Sequence, residues 1–360
     1  MLKFLHRTLV VINILFSLGL IISYLSAYIN PEKFWILALM GLFYPFFLIS
    51  NIIFLVYWII RWKKAFFIPF FAILLGIGNL TNFIQLPFGK IRKEDSLAFK
   101  VLSYNVNLFK LYAWSTEKPS FTDIVKFTKI SKADIVCFQE FFVNNGKLPE
   151  NAALQDIGMN SHLGYSVRKN NSAYGVATFS KYPIVNKGEI RFENSFNSCI
   201  YSDIKIDDDT IRVFNCHLQS IRLKEKNINF LLDQSVNTKS SHFKEIKDIF
   251  IKLRDAFRMR SKQVKLILDH VKESPYPVIV CGDFNDSPMS YTYTKMTKNL
   301  SDSFKEAGKG IANTYSRFLP SYRIDYILHS KEFKTLRFSC PRVNYSDHYP
   351  VLGSFTIASR

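Results

Sequence analysis

The pattern of apolar and polar positions divides the chain near Gly89. Three apolar runs come before that point. Thr8–Ile29 is interrupted only by Asn13 and scattered Ser and Tyr, Phe34–Ile60 carries no charge, and Ala65–Phe88 loosens toward Asn79, Asn82 and Gln85. Each run reaches the roughly 20 residues that a bilayer-spanning helix requires. Trp35, Tyr57, Trp58 and Trp62 fall near the ends of the second run, where amphipathic rings favour the interface. A cleavable signal peptide, with Lys3 and Arg7 ahead of it, accounts for the first run only, and no small-residue cleavage site follows. The pattern therefore predicts three transmembrane helices over about 8–29, 34–60 and 65–88, a linker over 91–97, and a folded domain over 98–360.

After the linker, short apolar runs alternate with helical periodicity and turn clusters. Strands are expected over Ala98–Tyr104, Ala133–Phe138, Tyr174–Phe179, Arg191–Ile206 (broken at Asn194–Asn197), Ile211–Cys216, Val278–Cys281, Arg323–Leu328 and Val351–Ile357. Phe121–Ile130 is helix-like, and Phe243, Ile246, Phe250, Leu253 and Phe257 recur every three or four residues, so Ser240 to about Val271 reads as a long amphipathic helix. This is a mixed α/β layout consistent with two packed sheets flanked by helices.

Charge adds sidedness and a partner class. Arg61, Lys63 and Lys64 between the second and third runs, with Lys3 and Arg7, place the N-terminus in the cytoplasm by the positive-inside rule. Three spans would then put the domain outside, a multi-pass extracytoplasmic arrangement. The net charge is +18, and Arg222–Lys265 holds twelve Lys/Arg against five Asp/Glu. Such a basic face suits a polyanion, nucleic acid or an anionic bilayer, or else is the solvated side of the helix. Five cysteines without CxxC spacing imply no disulfide framework, and no protein partner is implied. A transporter is excluded by the small number of runs and the lack of charge within them.

Candidate chemistry sits where apolar runs end. Asn105 follows VLSY, Glu140 follows IVCFQ, His217 follows VFNC, and Asp283 and Asn285 follow VIVCG; Asp325 lies in RIDYIL, and Asp347 and His348 precede the last strand. Glu140 offers a hard oxygen ligand, to which Asn105 and Asp347 add, the sparse donor set that Mg²⁺ or Mn²⁺ uses. His348 can move a proton or stabilise charge, with Asp325 fixing its tautomer. His217 and Asn285 can donate to phosphoryl oxygens, and Asp283 can orient or deprotonate water.

The order SYN, QE, NCHL, GDFN, RIDYIL and SDHYP resembles the endonuclease/exonuclease/phosphatase superfamily, the DNase I-like fold, over about residues 98–358. The resemblance implies a four-layer α/β-sandwich and metal-dependent phosphoester hydrolysis, with Asn105 and Glu140 at the metal and Asp283, Asn285 and His348 catalytic. Asp325 and His217 match the His-orienting and phosphate-contacting positions. Asn107 stands where some abasic-site nucleases carry a second metal-binding Asp, and Tyr174 is only a loose match to their catalytic Tyr, which argues against DNA repair. The expectation is a membrane-anchored phosphodiesterase acting on a lipid headgroup or nucleic acid. The alternatives are a tethered non-specific nuclease and a catalytically inactive scaffold.

Overall fold

Proline and glycine cut the apolar first quarter of the chain into pieces shorter than its composition suggests. The computed structural model describes residues 2–86, 98–110, 121–144, 160–169, 172–222, 227, 239–316 and 322–357; the expected linker lies outside them. The first run is one helix, α1 (Leu2–Leu25). The second is split into α2 (Ile36–Leu42) and α3 (Tyr44–Ile60), bent by 56°. Pro45 stands in the first turn of α3, and without an N–H it cannot continue the hydrogen-bond ladder of α2. In the third run α4 (Phe67–Leu75) stops at Gly76, and a four-residue helix, Ile77–Leu80, and a two-residue strand, Ile84–Gln85, follow. With its preceding turn, Lys64–Leu75 would extend about 18 Å against a hydrocarbon core of about 30 Å.

The expectation of three spans is therefore corrected. Among the described residues one helix, Lys3–Leu25, is long and apolar enough to cross a membrane alone, and α2 with α3 qualifies only as a bent pair.

Among the described residues the strands form two six-stranded sheets and one two-residue pairing, Ile84–Gln85 with Gly310–Ile311. In chain order the elements are β1 (Phe99–Asn105), α5 (Phe121–Ser131), β2 (Ile135–Asn144), β3 (Asn160–Lys169), β4 (Ser172–Ser180), β5 (Ile184–Arg191), β6 (Ser198–Ile206), β7 (Asp209–His217), α6 (Lys239–Lys272), β8 (Val278–Asp283), β9 (Asp325–His329), β10 (Phe333–Ser339) and β11 (Val351–Ile357). One sheet has the order β10-β11-β1-β2-β4-β3; the other runs from the two-residue edge Ser301–Asp302 through β9-β8-β7-β6 to β5. β1–β2 and β7–β8 pair in parallel, the remaining ladders antiparallel.

Alternation along each strand sends one set of side chains between the sheets. Phe99, Val101, Ile135 and Cys137 of the first meet Ile204, Ile211, Val213, Ile279 and Cys281 of the second in a buried core. The opposite face of the first sheet, with Leu102, Tyr104, Val136 and Phe138, is covered by Ile124 and Val125 of α5. On the second sheet Tyr201 faces His270 of α6. The expected α/β sandwich of two sheets is thus present. The pattern missed β3, β10 and all of β5 except Arg191, while the break it placed at Asn194–Asn197 falls between β5 and β6.

Contacts divide the chain into two units: Met1–Asn82 with Ser220–Lys262 and Ser287–Thr294, and Phe83–Gln219 with Gln263–Asp286 and Lys295–Arg360. In the first unit a buried polar chain joins α1 to α3. Ser17 Oγ donates to Asn51 Oδ1 at 2.6 Å, and Trp58 Nε1 donates to Asn13 Oδ1 at 3.0 Å. Leu39 packs with Leu253 and Phe257, and Ser26 Oγ donates to the Met289 carbonyl at 2.6 Å. Part of the basic stretch is used internally: Arg260 is buried over the Phe257 ring, and Lys252 pairs with Asp248 at 2.9 Å.

Candidate active site at the strand ends

The site is assembled in the second unit by strand register. His217, Asp283 and Asp325 end or begin adjacent strands, with His217 paired to Asp283 across β7–β8 and Asp283 to Asp325 across β8–β9. On the other sheet Asn105 pairs with Gln139, and Glu140 follows in a bulge between Phe138 and Phe141. Glu140 takes φ +51° there, a left-handed conformation that costs about 1–3 kcal/mol and re-aims its side chain. Gly282 (φ +136°) has a local requirement of its own, because a Cβ at this position would sit 1.9 Å from the Cys216 carbonyl oxygen.

Asp283 is the centre of the cluster. Its Oδ2 accepts from Asn105 Nδ2 at 3.0 Å and from Asn285 Nδ2 at 3.1 Å, while Oδ1 accepts from the Asn285 backbone N–H at 2.8 Å. His217 Nε2 and His348 Nε2 each stand 3.8 Å from Asp283 Oδ2, and His217 Nε2 is 3.7 Å from Glu140 Oε1. Asn285 Nδ2 also donates to the Leu218 carbonyl at 3.0 Å. His348 Nδ1 meets Asp325 Oδ2 at 2.9 Å, and Asp325 Oδ1 is buried without a hydrogen-bond partner.

Burial pushes the Asp283 carboxyl up to about 7, partly opposed by His348 and by the bonds from Asn105 and Asn285. Burial also works against a charged His348, but the Asp325 and Asp283 carboxylates outweigh it and raise its pKa well above the ordinary value. The site therefore pairs a carboxylate near its ionisation point with an imidazole that favours the protonated form, the separation that acid/base chemistry needs.

Two places have ligand-like donors. Asp283, Asp325 and His348 lie within 4.8 Å of one another. The His348–Asp325 hydrogen bond occupies Nδ1, and an imidazolium repels a cation, so this trio suits proton handling better than metal binding. Glu140 offers a hard carboxylate oxygen to a divalent cation, and the Asn105 carboxamide stands beside it, with Nδ2 3.3 Å from Glu140 Oε1. Asp347 is half-buried beside this pair in the chain's return, where Ser346 Oγ donates to the Asn105 carbonyl at 2.8 Å.

All eight expected residues thus fall at one end of the sandwich. Asn107 donates its N–H to Asn105 Oδ1 at 3.0 Å, and Tyr174 pairs through its backbone with Phe142 on β2. Sequence reasoning missed the supports below. Gln139 Nε2 donates to Asn215 Oδ1 at 2.7 Å, and Asn215 Nδ2 donates to the Ala177 carbonyl at 2.9 Å, a buried amide bridge between the sheets. Their signal was a polar residue inside an apolar strand, in CFQE and VFNC. Thr314 was missed too; its Oγ1 accepts from the Asp325 N–H at 3.0 Å.

Residues 102–348 match the Endonuclease/Exonuclease/phosphatase family, and residues 6–83 match a domain of unknown function. No curated protein sequence matches the chain. Among solved structures, it is similar to an endonuclease/exonuclease/phosphatase from Bacteroides vulgatus (TM-score 0.53, 17% identity, covering 72% of this chain and 99% of that one). It is also similar to a mannosyl-6-phosphatase from Bacteroides thetaiotaomicron (TM-score 0.51, 18% identity, 72% and 100%). A third similar structure is an endonuclease/exonuclease/phosphatase from Beutenbergia cavernae (TM-score 0.51, 16% identity, 73% and 72%). At these identities the likeness is one of fold.

Proposed function

The chain belongs to the endonuclease/exonuclease/phosphatase family, and from that premise we propose that it is a membrane-anchored, divalent-metal-dependent phosphodiesterase that cleaves its substrate by attack of water. The observation that carries this reading is the convergence on Asp283 Oδ2 of Asn105, Asn285, His217 and His348, with Glu140 alongside. The proposed anchor rests on α1, the one described helix able to span a bilayer by itself.

Glu140 and Asn105, with Asp347, would hold Mg²⁺ or Mn²⁺, which when bound supplies Lewis-acid polarisation of a phosphoryl oxygen. Asp283, once ionised, accepts the proton of the attacking water. Asn285 and Asn105 fix that carboxylate through their Nδ2 groups. His348, kept protonated by Asp325, donates from Nε2 to the oxygens on which charge builds, and His217 adds a second donor. The Bacteroides mannosyl-6-phosphatase is named for a sugar phosphate, so monoesters belong in the substrate panel beside the lipid headgroups and nucleic acid favoured by the tether and the basic charge.

The test is hydrolysis by the detergent-solubilised full chain, with Mg²⁺ or Mn²⁺, of single-stranded DNA, RNA, phospholipid vesicles and p-nitrophenyl mono- and diesters. Turnover abolished by Glu140→Ala and by His348→Ala is the expected result. Turnover that survives both substitutions, or none on any substrate, would sink the hydrolytic reading and favour an inactive binding module.

A further inference from the structure

A second cleft, of about 510 Å³, opens beside the site and is used by none of the chemistry above. Tyr165, Ser166 and Arg168 of β3 line it from one sheet, and Arg191, Ser195 and Ser198 from the other. Ser166 Oγ meets Ser198 Oγ at 2.8 Å, so the floor of the cleft is a hydrogen bond that ties the two sheets together.

Register fixes how far it lies from the reacting centre. Tyr165 and Phe141 both pair with Gly175, so Tyr165 is two strands from the residue that follows Glu140. Ile190 pairs with Cys199, and Cys199 with Cys216, so Arg191 is two strands from His217. Two strand spacings are about 10 Å. The two places are also joined directly, because the Leu218 carbonyl accepts from Asn285 Nδ2 at 3.0 Å and from Asn197 Nδ2 at 2.9 Å. Asn197 lines the cleft.

The lining is cationic, with both arginines exposed to solvent. The Arg168 guanidinium lies 4.8 Å from the Tyr165 ring centroid, a stack that holds the fork in place at little entropic cost. Arg191 is ion-paired with Glu189 at 3.0 Å, leaving the two arginines one positive charge in excess of the carboxylate. Guanidinium forks with neighbouring hydroxyls match the planar, multi-acceptor face of a phosphate.

We propose that this cleft is a second anion subsite, which binds a phosphate group of the substrate about two strand spacings, about 10 Å, from the strand ends that carry Glu140 and His217. It rests on the hydrolytic reading above and narrows it: the substrate class is a phosphoester carrying a second phosphate. A nucleotide 3′-phosphate and a phosphorylated inositol headgroup share that chemistry.

Two substrate pairs separate these sources, each assayed with the solubilised full chain and its Arg168→Gln/Arg191→Gln double variant. One is thymidine 5′-(p-nitrophenyl phosphate) with and without a 3′-phosphate; the other is glycerophosphoinositol with and without a ring phosphate. In the arm that carries the natural chemistry, the ratio of kcat/KM for the doubly over the singly phosphorylated member falls at least tenfold in the variant, through KM. A ratio unchanged in both arms overturns the proposal. Calorimetric binding of thymidine 3′,5′-bisphosphate and inositol bisphosphate in a His348→Ala background separates the subsite from catalysis. A tenfold weaker affinity for one of them in the arginine variant supports the subsite even where hydrolysis fails, whereas equal affinity, or none for either ligand, overturns it.

Discussion

His348 Nδ1 and Asp325 Oδ2 meet at 2.9 Å across 23 residues of sequence, both side chains buried. The bond fixes which imidazole nitrogen faces Asp283 and keeps the ring protonated. Asp325 is itself held by the Thr314 hydroxyl, which accepts its backbone N–H. Asp325→Asn keeps the shape and removes the charge, so kcat should fall by about 10²–10⁴-fold with the fold intact. Steady-state kinetics beside a thermal melt checks this; a loss under threefold would show that the pair is structural.

Asp283 and His348 set how stability responds to pH. The Asp283 carboxyl is raised to about 7 in the folded chain from an ordinary 3.8, so the folded state holds a proton that the unfolded state has lost between those values. Stability from this group is therefore greatest near pH 4 and declines as pH rises to about 7. His348, also raised, adds stability that is full below its ordinary 6.5 and is lost as pH climbs through its folded value. Both contributions have the same sign. The melting temperature should fall from pH 5 to pH 8, and Asp283→Asn should flatten that fall while abolishing activity. A variant whose melting temperature drops as steeply as the parent's would contradict the assignment.

A buried ion pair offers a test away from the chemistry. Arg323 grips Asp302 with two bonds, 3.1 and 2.7 Å, between the rings of Phe304 and Tyr326, each 4.6 Å away. Arg323→Met strands the Asp302 carboxylate in the interior and should cost about 3–5 kcal/mol. Adding Asp302→Asn removes the stranded charge and keeps an acceptor for the Phe304 N–H that Asp302 now caps. Most of the loss should then return in urea denaturation. An additive double variant would mean that the pair does not couple.

The site was far more legible in the sequence than the architecture around it. Strand ends can be read because a β-branched run followed by Gly-Asp or Gln-Glu changes polarity within one residue, and the positions that meet at Asp283 all lie at such changes. Edge strands are harder. β3 (NSHLGYSVRK) and β10 (FKTLRFS) each pair on one side only, so their apolar alternation is weak. The subsite arginines could not be found from sequence at all, since Arg168 and Arg191 come together only through two independent registers.

The N-terminal quarter was misread for a different reason. Apolar composition alone cannot distinguish a straight span from one broken at Phe43 or Gly76, and it is backbone chemistry at Pro45 and the glycines that decides. Asn13, Ser17 and Asn51 interrupt the apolar runs where α1 and α3 bond to each other, Ser17 to Asn51 and Asn13 to Trp58.

Asn285 is the sharpest probe of Asp283 as the proton acceptor. Its Nδ2 donates to Asp283 Oδ2 at 3.1 Å, and φ +53° at Asn285 is a conformation that Asp also tolerates. Asn285→Asp therefore preserves shape and backbone while replacing a donor with a carboxylate at the same distance. Two carboxylates so close cannot both ionise easily, so Asp283 should lose its proton at a higher pH than in the parent. Since the ionised form is the one that accepts a proton from water, the rising limb of the pH–rate profile should move to higher pH, and activity at pH 7 should fall by more than tenfold. Part of it should return at pH 9. Asn285→Ala removes the donor without adding a charge, so it should lower the rate with a much smaller shift. If Asn285→Asp lowers the rate equally at every pH, Asp283 is not the group whose ionisation limits the reaction, and the role of proton acceptor passes to another residue.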